Sequence, residues 1–67
     1  MSGEEEAIER LLAVIAASRP GAVAGWPAYW ARLAGLPEAA AAAALEELVA
    51  RGVVRRVPLA GGVLYVA

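Results

Sequence analysis

With 67 residues and a formal net charge of −1, the chain has room for one small domain, and as a whole it does not advertise affinity for nucleic acid or anionic lipid. Cys, His, Lys, Asp, Asn, Gln, Thr and Phe are all absent, which removes disulfides, soft-ligand metal sites and the groups that activate a serine nucleophile. Neither enzymatic activity nor a bound cofactor or metal is expected, so stability must come from packing or association.

Arginine as the only cation, with no Asn, Gln or Cys, gives a thermophile-like composition. The longest charge-free stretches, Pro20 to Ala31 and Val57 to Ala67, fall short of the ~18 residues a membrane-spanning helix needs. The first residues are acidic, unlike a signal peptide, and a cytoplasmic location is the expectation.

In chain order, Ser2 and Glu5 stand at capping-box spacing, and Glu4, Glu5 and Glu6 fall in the first turn, where the helix dipole favours acids. Ile8, Leu11, Leu12 and Ile15 then follow the i, i+3, i+4, i+7 rule of a buried helix stripe. Glu6 and Arg10 are placed for an i, i+4 ion pair. Pro20 and Gly21 stop this first helix.

Ala22 to Ala24, bounded by glycines, are long enough only for one short edge strand. Pro27 suits a first helical turn, and Trp30, Leu33 and Ala34 share one face of a helix about two turns long that Gly35 ends. A third helix is predicted from about Pro37 to Arg51, with Ala41, Leu45 and Leu48 as its buried stripe. Alanine is the best helix former, so the run Ala39 to Ala44 supports the helix.

After Gly52, Val53 to Leu59 and Val63 to Val66 are β-branched-rich and flank Gly61-Gly62, which supply the backbone freedom of a two-residue hairpin turn. That turn sets Val57 opposite Val66, Leu59 opposite Leu64 and Pro58 opposite Tyr65. Pro58, lacking an N–H, should turn its nitrogen away from the partner strand.

The order helix, short strand, helix, turn, helix, hairpin resembles the winged helix-turn-helix superfamily. Its most telling pieces are Gly35-Leu36-Pro37 opening helix 3, Leu45 and Leu48 within it, and Gly52 to Arg56 leading into a wing that returns through Tyr65. The second half of the chain looks like the helix-3-and-wing half of MarR- and IclR-type regulators and of DprA C-terminal domains. The resemblance spans about Ile8 to Val66 and implies an α+β fold in one domain over residues 1–67: three helices, a short strand after helix 1 and a C-terminal two-stranded wing. It also implies a role with nucleic acid, in transcription regulation or DNA processing.

The chain departs from that pattern where a recognition helix would read bases. Base edges are read by Arg, Asn, Gln and similar donors or acceptors, whereas the positions after Pro37 are Glu38, Ala39, Ala40, Ala42 and Ala43. The leading expectation is therefore weak, salt-dependent DNA association through the wing arginines Arg55 and Arg56, with Arg32, without helix-3 readout. Its bland competitor is a solvated strand face, because arginines are mostly exposed in any fold.

The alternative is a protein-interaction or dimerisation adaptor. Its candidate contacts are the aromatic pair Trp26 and Tyr29, and the helix-3 face formed by Glu38, Ala39, Ala42, Ala43 and Glu46. Trp30 is most simply core, and a core this small has little room for Trp26 and Tyr29 as well. The alanines have a purely structural reading too, as residues that let helices approach closely.

Overall fold

The computed structural model describes residues 3–67. The order of elements is α1 (Gly3–Ala16), β1 (Ala24–Gly25), α2 (Pro27–Ala34), α3 (Glu38–Ala50), β2 (Arg55–Leu59) and β3 (Gly62–Val66). The chain is thus an α+β protein whose three helices pack together beside a three-stranded antiparallel sheet of order β1-β3-β2. No described helix is long and apolar enough to cross a membrane.

In α1 the expected stripe holds. Ile8 and Leu11 are buried, Leu12 and Ile15 pack partly against the core, and Ala7 is fully buried beside them. The capping expectation at Ser2 lies outside the described residues. Instead of pairing with Glu6, Arg10 turns across the helix interface and places its guanidinium 3.5 Å from the carbonyl of Ala34, at the end of α2. That choice satisfies a helix C-terminal carbonyl with a cation, where the dipole favours one.

The fully buried side chains of α3 are Ala41, Ala44, Leu45 and Leu48. Alanine at two of these positions leaves space next to α1 and α2, and the largest buried side chain of the molecule, Trp30, belongs to the same core. Large residues interdigitating with small ones are how a core of this size reaches native density. Its indole Nε1–H donates to the carbonyl of Tyr65 at 3.1 Å, so the one polar atom of the ring is paired where it is buried.

The short strand is Ala24–Gly25, which overlaps the expected Ala22 to Ala24 only at Ala24. The pairing is extended by Ala67 N–H to Val23 O at 2.9 Å and by Gly21 N–H to Ala67 O at 2.6 Å, so Val23 is free to turn its side chain into the core. Gly35, in the left-handed region at φ 68°, ends α2.

The hairpin turn is Ala60-Gly61 and not Gly61-Gly62. Leu59 pairs with Gly62, Pro58 with Val63, Val57 with Leu64, Arg56 with Tyr65 and Arg55 with Val66. Relative to the expected register each partner slips by two residues, so every side chain keeps its face. Two contacts distinguish the registers: Tyr65 comes beside Arg56, and Gly62 at φ 148° lies under the ring of Trp26, with Cζ3 3.5 Å from where a Cβ would stand.

Replacing Trp30 with Phe keeps an aromatic ring but leaves the Tyr65 carbonyl without its donor and vacates volume. The expected cost is about 2 kcal/mol of unfolding free energy, read by denaturant titration. Trp26→Phe, at a half-exposed position, should cost less than about 0.5 kcal/mol in the same assay.

Candidate interaction surface

Among the three candidate phosphate contacts, Arg55 and Arg56 are neighbours on β2, and adjacent strand residues point to opposite faces. Arg55 shares its face with Val66 and Val57, on the side where Leu59 and Trp26 also lie. Arg56 shares its face with Tyr65 and turns toward α3. Arg32 is exposed in the last turn of α2, which packs on α1, α3 and β1. The structure does not bring the three cations onto one surface.

Arg56 is already engaged. Its Nη1 lies 3.2 Å from Glu46 Oε1, and the hydroxyl of Tyr65 donates to Glu46 Oε2. Glu46 therefore holds the β2–β3 hairpin to α3 and is not a free partner contact, and Arg56 carries a carboxylate beside it that cancels its appeal to a phosphate. The ion pair is half exposed and worth little by itself. The Tyr65 side chain is buried, so its hydroxyl needs the acceptor that Glu46 supplies. The hydroxyl is held above its ordinary pKa, first by burial and then by the hydrogen bond and negative charge of Glu46, with Arg56 acting in the opposite direction.

The remaining α3 candidates behave as the sequence suggests. Glu38, Ala39 and Ala43 are exposed and Ala42 is half-buried, so this face presents methyl groups and acids and no base-reading donor.

The apolar side chains left at the surface are more telling. Trp26, Tyr29 and Leu33 remain 43%, 48% and 44% exposed. Leu33, expected to share one helix face with Trp30 and Ala34, is thus left largely outside while Trp30 is fully buried. Tyr29 and Leu33, one turn apart, lie at the surface of α2, and Trp26 precedes the helix as its N-cap. Trp30 and Ala31 are buried on the inner face. Arg32 is the one charged side chain between Trp26 and Gly35, so this helix is apolar nearly all round.

Two glycines of the sheet seat the aromatics. The ring of Tyr29 occupies the space that a Cβ on Gly25 would take, and Trp26 lies over Gly62. Leu59, half exposed, pairs with Gly62 and shares the side of the sheet on which Trp26 lies, whereas Gly25 pairs with Tyr65 and seats Tyr29 on the opposite side. Because Gly25 lies in β1 and Tyr29 in α2, their spacing in the sequence does not signal this contact, and only the fold shows which partner each glycine serves.

Gly25→Ala should displace the Tyr29 ring, lowering stability by about 1–3 kcal/mol and changing the environment of Tyr29 seen by NMR. In a Tyr29→Phe background the phenolate absorbance reports Tyr65 alone, and Glu46→Ala should move its titration down toward the ordinary tyrosine range; an unchanged midpoint would show that Glu46 does not hold the hydroxyl. Because the folded value is raised, the protonated hydroxyl's contribution to stability is complete below the unfolded value of about 10. It is lost as pH rises through the folded one.

No protein-family model, curated protein or solved structure matches the chain.

Proposed function

We propose that the chain is a non-catalytic winged-helix module that works by docking protein through the outer face of α2. The fold part of this reading is supported by the element order, the α2-turn-α3 pair and the β2–β3 hairpin joined to β1 in the order β1-β3-β2. The functional part is carried by one observation: a helix apolar on both faces buries only one of them. Such helices are ordinarily covered on all sides, and half-exposed aromatics are typical interface anchors.

A second reading, nucleic-acid association, is favoured by the same topology and by Arg55, which is exposed and has no carboxylate partner among the described residues. Arg55 and Arg32 are too few for more than a shallow salt response, because each neutralised phosphate contributes about one to the slope of log affinity against log salt. The acids Glu38 and Glu46 on the exposed side of α3 oppose the approach of a duplex.

Fluorescence anisotropy of a labelled duplex, titrated at low salt and again at ~0.15 M, separates the two readings. Protein docking predicts no saturable binding in either condition. Saturable low-salt binding that is lost in Arg55→Ala would establish the second reading instead.

A further inference from the structure

We infer that the face of the sheet turned away from the helices is a self-association surface, against which a second copy of this chain lays the same face. Strand pairing sorts the side chains onto two sides. Gly25, Arg56, Pro58, Val63 and Tyr65 share the side that meets Tyr29 of α2 and Glu46 of α3. On that side Tyr65 belongs to the core and Val63 packs against it. Ala24, Arg55, Val57, Leu59, Leu64 and Val66 point to the other side, where the ring of Trp26 lies over Gly62. An antiparallel sheet with one face in water ordinarily places its polar residues there. Here that face is apolar except for Arg55: Trp26 and Leu59 are 43% and 50% exposed, and Val57, Leu64 and Val66 stay partly exposed.

The chemistry of the face selects its occupant. Arg55 is its one charged side chain, so it complements a surface that is equally apolar and brings no polar group that would lose water unpaired. The molecule presents that surface itself, and two sheets pack face to face with their strands nearly aligned. A two-fold contact puts the same patch on both copies and closes at two. With the axis running across the strands, each Arg55 lies at the hairpin end of the other copy, beside its Leu59. The two guanidinium groups are then set apart by four strand residues, about 13 Å at ~3.3 Å each, which exceeds the ~8 Å screening length at physiological salt.

Size sets the strength. Trp26, Leu59 and the partly exposed Ala24, Val57, Leu64 and Val66 offer on the order of 400 Å² per copy, about half of the ~800 Å² that each partner contributes to a standard interface. That is too little for a permanent dimer and suits a reversible one, with half-association at roughly tens to hundreds of micromolar. The surface is separate from the docking face of α2, because Tyr29 sits on the opposite side of the sheet and Leu33 lies further along the helix. Both surfaces can be occupied at once, and neither reading depends on the other.

The test is sedimentation equilibrium of the full chain from ~10 μM to ~1 mM, with circular dichroism confirming that each variant is folded. The wild type should self-associate, and the methyl NMR signals of Val57, Leu64 and Val66 should shift with concentration. Val57→Lys, at the centre of the face, should raise the concentration of half-association about tenfold. Leu59→Arg should do the same, because it sets a cation against Arg55 of the other copy. Combining Leu59→Arg with Arg55→Glu places opposite charges across the contact, and association should return toward the wild-type value. A wild type that remains monomeric to ~1 mM, or association untouched by Val57→Lys, overturns the inference. So does a double variant that associates no better than Leu59→Arg alone, or association that is lost in Leu33→Ser and kept in Val57→Lys, which would assign the contact to α2.

Discussion

The indole of Trp30 is the contact on which the rest of the molecule depends. It is the largest fully buried side chain, and its N–H reaches the carbonyl of Tyr65, so one residue of α2 both fills the helical core and fixes the central strand of the sheet. Tyr65 passes the connection on, because its hydroxyl bonds to Glu46 on α3 while the neighbouring Arg56 pairs with the same carboxylate. Helix 2, strand β3 and helix 3 are thereby linked by polar bonds whose buried ends would be costly to leave unmade. In a chain with no disulfide, such directional contacts orient the sheet against helices that otherwise meet mainly through alanine and leucine.

With Trp30 and Ala31 turned inside, Tyr29 and Leu33 are left at the surface of α2, and Trp26 stands before the helix as its N-cap residue. Tyr29 and Trp26 are seated on the sheet, where Gly25 and Gly62 make room for them. The aromatics are thus seated with defined positions, and an anchor already ordered before binding loses less side-chain entropy when a partner arrives. On α3, Glu46 is tied to Arg56 and Tyr65 of the hairpin, while Ala39 and Ala43 stay exposed.

Much of this was legible in the sequence where periodicity and backbone chemistry decide the outcome. The stripes of α1 and α3 follow from spacing alone, and the stops at Gly35 and Gly52 follow from glycine's access to the left-handed conformation. The winged architecture as such rests on resemblance and is proposed, whereas the mixed helix and antiparallel sheet are observed. Leu33 was misplaced because a two-turn helix with apolar residues on every side has no polar face to orient it. The hairpin register was missed because a two-residue slip changes no side chain's face, and the choice is made by distant partners, Trp26 over Gly62 and Tyr65 beside Arg56. Arg10 abandons Glu6 for the end of α2 for a similar reason, since i, i+4 spacing says nothing of a carbonyl from another helix. Among the site candidates, the exposure of Trp26 and Tyr29 could be argued from the small size of the core. The engagement of Arg56 and Glu46 with each other could not, because it joins strand to helix across the fold.

The central claim is that Trp30 of α2 is held inside as the anchor of the fold while Trp26, at the entry of that helix, stays at the surface. Hydrogen exchange of the two indole N–H groups, followed by NMR at a concentration where the chain is monomeric, tests it most directly. The account predicts that the Trp30 indole exchanges only through global unfolding, with protection tracking the stability measured by denaturant, while the Trp26 indole exchanges orders of magnitude faster. Comparable protection of both indoles, or rapid exchange at Trp30, would contradict it.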